Sequence, residues 1–330
     1  PRLHAAGLAL HNLGSLPHIC IAGAVATGTH GSGDGKGCLA TAVTALDVVT
    51  ASGELLHLDR SDPRFPGAVV GLGSLGVVTA VTLSVEPAHD MAQRVVDDVP
   101  LDAVRGHLDE VFSAGDSVSV FTTWRPDDLG QVWVKRRTDD ARPPAAADWL
   151  GGTPAIGSRH PVPGVDPAAC TAQLGEPGPW HERLPHFRLD HTPSAGAELQ
   201  TEYLVPRDHA VAALDAVGAL RDRISPVLLV SELRTVAADD LWLSPAYGRD
   251  SVAVHFTWQP DTAAVLPVVA AVEAALAPFD PRPHWGKVFT TAPGEVADGY
   301  PRHDDFRTLR RELDPDDVFG NAFVDTYLPR

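Results

Sequence analysis

The chain has 330 residues, 44% hydrophobic and 21% charged, which is ordinary globular usage and excludes a disordered or fibrous polypeptide. That length accommodates two domains and a sizeable buried core. A formal charge of −17 repels phosphate backbones and anionic lipid surfaces, so neither nucleic acid nor a membrane is expected as a partner.

Cys20, Cys38 and Cys170 leave an odd count with no CxxC pair, which argues against a disulfide framework or a zinc site and for a reducing compartment. The cytoplasm is the default expectation. Among the 15 histidines there is no HExxH and no Cys/His cluster at metal spacing, so no metal is expected. No apolar run of membrane-spanning length is expected, and no signal peptide is visible. The text opens at Pro1 in mid-segment, with nothing before Leu8 that reads as an organised start, so a fragment of a longer chain is expected.

Small residues dominate Ile19 to Gly37. Ala42 to Thr50 reads as a strand, Ala51-Ser52-Gly53 as a turn and Glu54 to Leu58 as the returning strand. Phe65-Pro66-Gly67 leads into a short helix ended by Gly71 or Gly73, and Val77 to Val85 is a β-branched strand closed by Pro87. A strand and then a helix (LDAVRGHLDEVF) are expected between Met91 and Gly115, followed by strands at Ser117 to Trp124 and Gln131 to Arg137.

Residues 139 to 196 are rich in Pro, Gly and Ala with little periodicity, a long loop-dominated insertion. Two helices follow. Asp208 to Ile224 carries Val211, Leu214, Val217 and Leu220 on one side, and Asp261 to Pro278 begins at a candidate N-cap, Asp261. Strands are expected at Val227 to Thr235, Ser251 to Trp258 and about Trp285 to Thr290. This order predicts an α+β fold with an antiparallel sheet covered on one face by helices. The tail, DPDDVFGNAFVDTYL, is turn-rich with buried aromatics.

Four segments carry chemistry. Thr27-Gly28-Thr29-His30-Gly31-Ser32-Gly33 offers backbone N–H groups without Cβ obstruction, which suits a diphosphate or a flat ring but equally describes a flexible surface loop. It is not a GxxxxGK[ST] phosphate loop, because Gly37 follows Lys36 where Ser or Thr should stand. Alternation in VLLVSELRT places Leu228, Val230, Glu232 and Arg234 on one face, either a pocket wall or an exposed strand end with a weak ion pair. In SVAVHFTW, Val252, Val254, Phe256 and Trp258 form an apolar face and leave Ser251, Ala253, His255 and Thr257 opposite. Lys287 lies among Trp285, Val288 and Phe289, as a snorkelling edge residue or as a cation held beside a ligand.

The segments HNLGSLPHICIAGAVATGTHGSG, SELRTVA, LSPAYGRD, VAVHFTW and PRPHWGKVF, in this order, resemble the alditol oxidases. These are vanillyl-alcohol-oxidase-type (VAO/PCMH) FAD flavoproteins related to the aldonolactone oxidases, and the likeness is loosest over about 139 to 170. The resemblance implies FAD as cofactor and a small polyol such as xylitol or sorbitol as substrate. The terminal hydroxyl would be oxidised to the aldehyde, with O2 reduced to H2O2. It implies Ser15 against both flavin and substrate, FAD contacts from Cys20, Gly23, Thr27, Gly28, Thr29 and His30, and Val77 or Val78 near the adenine end.

The resemblance further implies a polyol site of Glu232, Arg234, Thr257 and Lys287. Arg234 would stand at the reacting oxygen, Lys287 near the flavin ring, and Glu232 as an orienting group able to accept a proton. It implies a second FAD-domain lobe at 1–91, a substrate or cap domain at 92–292, and a segment at 293–330 that returns to the FAD domain. The family's diphosphate loop and its flavin-linked histidine precede the SLPH motif, so neither is expected in this chain. An aldonolactone oxidase, or a silent fragment that holds FAD weakly, are the alternatives. The oligomeric state is not legible.

Overall fold

The computed structural model describes residues 1–125, 129–142, 146, 148–191 and 197–330. Of the loop-dominated insertion, 143–145, 147 and 192–196 lie outside the described residues. The Gly-rich stretch is not wholly loop. Ile21–Ala26 is a short helix, α1, capped by Cys20, whose sulfur accepts from the Gly23 N–H at 3.2 Å. Its residues, IAGAVA, have no polar face and so give no helical period to read.

Strands β1 (Val43–Val49), β2 (Leu55–Asp59) and β3 (Val77–Leu83) form a small antiparallel sheet in the order β2-β1-β3. Leu46, Val48 and Leu58 close on Phe65, Phe306, Leu309 and Val324. The helices His303–Leu313 and Ala322–Tyr327 therefore pack on the N-terminal sheet.

The second sheet is larger and antiparallel throughout. Its main strands are β4 (Asp90–Pro100), β5 (Ser117–Thr122), β6 (Leu129–Arg137), β7 (Leu199–Pro206), β8 (Leu228–Val236) and β9 (Ser251–Trp258), with the two-residue β10 (Arg282–Pro283) at one edge. They lie side by side in the order β4-β6-β5-β8-β9-β7-β10. One face is apolar: Val118, Val120, Val132, Tyr203, Leu233, Val254, Phe256 and Trp258 are buried against helical residues including Leu214, Val217, Val265 and Val269. Burial of such side chains, at roughly 1.5–3 kcal/mol each, drives the docking of helices on this face.

Several expected elements differ in detail. The helix over 208–224 is broken into a turn at Arg207–His209 and helices Ala210–Gly218 and Arg221–Ile224, with the helix-disfavouring Gly218 at the break. Trp285 to Thr290 is not a strand. Lys287 N donates to His284 O at 3.1 Å and Gly286 N to His284 Nδ1 at 3.0 Å, a turn that ends the pairing begun by β10. Asp261 does cap its helix, Thr262–Leu276, accepting from Ala264 N at 3.1 Å. The 18 residues Thr262–Phe279 average 1.8 in hydropathy and, contrary to expectation, are long and apolar enough to cross a membrane. In the fold, Val265, Val269, Val272 and Leu276 of that stretch are buried on the sheet.

Candidate functional site

The uncovered face of the large sheet carries the chemistry. A register shift in β8 between Leu228 and Val230 inserts an extra residue, which turns Leu228 to the helix-covered core and leaves Val230, Glu232 and Arg234 opposite. Leu228 thus leaves the face on which simple alternation puts it. The β9 alternation holds throughout, with Val252, Val254, Phe256 and Trp258 in the core and His255 and Thr257 at a cavity. Strand register sets Phe121, Glu232, His255 and Glu202 opposite one another in one row across β5, β8, β9 and β7.

Neither carboxylate of this row is at an exposed strand end: Glu202 is 1% and Glu232 4% exposed. Glu202 pairs with Arg234, lies 2.9 Å from Lys287 Nζ and 3.4 Å from His30 Nε2. Glu232 Oε1 accepts from His186 Nε2 at 2.8 Å and stands 3.7 Å from Arg234 Nε, while Oε2 is 3.9 Å from His255 Nδ1. Arg234 Nη1 donates to Ser15 Oγ at 3.3 Å, and the Ser15 carbonyl accepts from His186 N at 2.9 Å. Behind His186, Lys135 Nζ sits 3.0 Å from its Nδ1 and also donates to the Leu184 carbonyl.

Burial would raise both carboxyls, but the neighbouring cations outweigh it. Arg234 and Lys287 hold Glu202, and Arg234 together with the hydrogen bond from His186 holds Glu232, well below the usual carboxylate range. Burial pushes His30 and His186 down to about 4 and His284 to about 3. His255 is pushed well down by the same cause, and burial also lowers Lys287 against the pull of Glu202. Near pH 7 the histidines are neutral. Arg234 and Lys287 then face Glu202 and Glu232, while burial lowers Lys135, behind His186, to about 7.

Ser15, Thr27, Thr29, Thr257 and Lys287 line a cavity of about 520 Å³ with these groups. It runs into a second space of about 1010 Å³ through shared walls at Gly14, Leu16, Ile19, Ala24 and Phe187. Gly23, on α1, borders the first cavity and also a third of about 270 Å³, whose lining includes Val78. Val77 is 54% exposed beside Val78, and Cys20 is exposed at the first cavity's rim. Thr27 Oγ1 donates to Gly23 O at 2.9 Å and is 3.1 Å from Thr29 Oγ1.

Two glycines of the stretch serve the protein's own backbone rather than open space. A Cβ at Gly31 would stand 2.3 Å from Leu13 O, and one at Gly33 (φ +147°) 2.4 Å from Asp116 O. Gly33 N also donates to Thr235 O at 3.0 Å, which bolts the loop to the end of β8. His30 is thereby pressed against Glu202. Gly28 (φ +64°) packs on Pro245.

Glu202, His186, Lys135 and His284 escaped the sequence reading. Glu202 could have been found, since in LQTEYLVP the residues Thr201, Tyr203 and Val205 alternate with it and face the core. His30, Glu202 and His284 each bring a donor atom within 4.8 Å of the others, a spacing that could hold a metal ion. Glu202 already balances Arg234 and Lys287, so a divalent cation there would meet an excess of positive charge.

Residues 1–59 match the FAD binding domain family and residues 197–327 the D-arabinono-1,4-lactone oxidase family. The chain is 55% identical to an alditol oxidase from Streptomyces sp. over 98% of its own length and 76% of that protein's. It is 30% identical to L-gulono-1,4-lactone dehydrogenase of Mycobacterium tuberculosis, covering 98% of this chain and 77% of the relative. The fold is shared with cholesterol oxidase from B. sterolicum, at a TM-score of 0.77 and 15% identity over 99% of this chain and 78% of that one. That likeness bears out the expected α+β flavoprotein architecture.

Proposed function

Because the chain belongs to the alditol oxidase family of FAD-dependent oxidoreductases, we propose that it oxidises the terminal hydroxyl of an alditol such as xylitol or sorbitol to the aldose, with O2 reduced to H2O2. The observation that carries this reading is the buried row of charge. A polyol presents hydroxyls that both donate and accept, and Glu232, Thr257, Arg234 and Lys287 offer an acceptor, a two-way hydroxyl and two cations around one cavity.

The residues present fit FAD. The joined cavities have a wall of small residues, Gly14, Gly23 and Ala24, on which a flat ring can lie, and the buried His30 Nε2 makes no hydrogen bond among the described residues. Ser15, Cys20, Gly23, Thr27, Gly28, Thr29 and His30 would hold it, with Val77 and Val78 toward the adenine end. When bound, FAD supplies the hydride acceptor and passes the electrons on to O2. Arg234 would hold the substrate oxygen as its proton passes to Glu232, the carboxylate beside it, and Lys287 would stand toward the ring. The two cations at the cavity, Arg234 and Lys287, favour an oxyanion over a neutral alcohol in the same place. Glu232, fixed as an anion, takes a hydrogen bond from a substrate hydroxyl, and Thr257 fixes a second one.

In the same reading, residues 1–91 and 293–330 contribute the flavin-binding part and 92–292 the substrate-binding part. Packing of Phe306, Leu309 and Val324 against the small sheet supports that division. Oxidation of an aldonolactone is the second reading, favoured by the D-arabinono-1,4-lactone oxidase match at 197–327.

The test is to express residues 1–330, record the visible flavin spectrum, and assay peroxide with xylitol, sorbitol and gulono-1,4-lactone. Flavin absorbance and peroxide from an alditol at a higher kcat/KM than from the lactone are expected. A yellow protein that turns over only the lactone would move the assignment to the second reading, and a colourless one giving no peroxide would sink both for this chain.

A further inference from the structure

We propose that Lys135 is a positioning residue: through the His186 ring it fixes Glu232 as the hydrogen-bonded anion that faces the substrate cavity. Lys135 is 1% exposed and stands on β6, on the far side of His186 from the cavity. Its Nζ lies 3.0 Å from His186 Nδ1, and His186 Nε2 lies 2.8 Å from Glu232 Oε1. The three side chains therefore form one buried line from the sheet interior to the cavity wall. A buried lysine costs several kcal/mol of desolvation unless its protons are used. Here one goes to the Leu184 carbonyl and another to the imidazole.

The order of the line follows from proton counting. An ammonium has only protons to give, so Nδ1 of His186 must be the accepting nitrogen, and the ring proton must sit on Nε2. Nε2–H then donates to Glu232, which has only lone pairs to offer. In the opposite tautomer two lone pairs would face each other across 2.8 Å. Phe121, Trp133 and Phe187 flank the ring edge-on, with centroids at 5.5, 5.3 and 6.4 Å.

The other polar groups around the line are consistent with this order. Ser119 Oγ is 3.5 Å from His186 Nε2, Arg234 faces Glu232 and His186, His255 faces Glu232, and the Cys170 thiol faces Lys135. Burial pushes the thiol up to about 12, so it remains protonated and brings no charge. Burial lowers Lys135 to about 7, opposed by Glu232, and lowers His186 to about 4, assisted by Lys135, so below pH 7 the proton rests on the lysine rather than on the ring's Nδ1.

The proposal rests on the alditol-oxidising reading for its kinetic arm only. In the unaltered protein, nitrogen-15 histidine NMR should show His186 as the Nε2–H tautomer, and Lys135→Met should weaken that preference to the part that Glu232 alone imposes. In the flavin-loaded enzyme, Lys135→Met should raise KM for the alditol about tenfold with a smaller change in kcat, and should move the acid limb of kcat/KM upward. Lys135→Arg should restore much of both. His186→Gln keeps a donor for Glu232 without needing the lysine, so adding Lys135→Met to it should change little.

An Nδ1–H tautomer in the unaltered protein overturns the proposal, and that measurement decides alone should Lys135→Met not fold. An equal effect of Lys135→Met with and without His186→Gln also overturns it, since the lysine would then act by charge alone. The predicted tautomer in a protein that oxidises no alditol would sink the proposed substrate and leave the Lys135–His186–Glu232 linkage standing.

Discussion

Lys287 Nζ lies 2.9 Å from Glu202 Oε2, while Arg234 pairs with the other oxygen of the same carboxylate. One acid, 1% exposed, thus fixes both cations that face the cavity. Its geometry comes from β7, where Glu202 stands opposite His255, and from the His284–Lys287 turn that hangs beside that strand. Removal of one partner from such an assembly leaves buried charge without compensation.

Glu202→Gln should therefore destabilise the fold by about 3–5 kcal/mol, the range for breaking a buried ion pair from one side. Urea denaturation of the variant against the unaltered chain measures it. A loss below about 1 kcal/mol would mean that Arg234 and Lys287 find other partners and that Glu202 organises nothing.

Stability should fall as the solution is acidified from neutral pH. His30 and His186 have folded values near 4 and His284 near 3, against 6.5 for a free histidine, with burial the main cause in each. From pH 6.5 downward the unfolded chain binds protons that the folded chain refuses, so unfolding is favoured progressively until the folded values are passed. Glu202 and Glu232, held below the ordinary carboxylate range by their cations, add a further loss below about pH 4.5. Denaturant midpoints at pH 7, 6 and 5 should fall in that order, and a flat series would show these histidines to be protonated in the fold.

Much of the site was legible because strands report their two faces directly. Alternation in SVAVHFTW put His255 and Thr257 opposite the core side chains, and the fold keeps them there. Alternation failed at Leu228 because a bulge adds a residue, and no side-chain pattern announces a bulge. Lys135 and His186 were not legible at all. Lys135 stands at the end of an apolar strand, where exposure is the default, and His186 comes from an insertion without periodicity. Their pairing is set by tertiary packing alone. The Gly-rich stretch reads as suited to a diphosphate or flat ring, or as a flexible loop, whereas at Gly31 and Gly33 the approaching group is the protein's own backbone.

Gly31→Ala follows from that last point. The added methyl would meet Leu13 O at 2.3 Å and Asn12 Oδ1 at 2.5 Å, so either the loop or the 12–13 segment must move. Overpacking of this kind costs typically about 1–3 kcal/mol. Because the loop also carries His30 and ends at β8, the shift should reach the cavity wall. A thermal melt and the ratio of flavin to protein absorbance after purification should both fall. An unchanged ratio with an unchanged melt would show the loop to be slack at this position.

Arg234 and Lys287 separate in their expected effects because only one of them is proposed to meet the reacting oxygen. Arg234 contacts Ser15 Oγ at 3.3 Å and both Glu202 and Glu232, at the centre of the charged row. Lys287, partly open to solvent, pairs with Glu202 and approaches from the turn beside β7. Arg234→Ala and Lys287→Ala should each reduce turnover of the flavin-loaded enzyme with xylitol by about 10²-fold or more, the loss on removing one donor to a developing oxyanion. Arg234→Ala should also raise KM, since substrate orientation is lost with it, whereas Lys287→Ala should act mainly on kcat. Thr257→Val, which removes one hydroxyl contact and little volume, should raise KM by about tenfold or less and spare kcat. Steady-state kinetics on the three variants, with flavin content measured alongside, distinguishes these outcomes. Near-normal turnover in both charge variants would refute the assigned roles, and a selective kcat loss at Arg234 with a KM effect at Lys287 would exchange them.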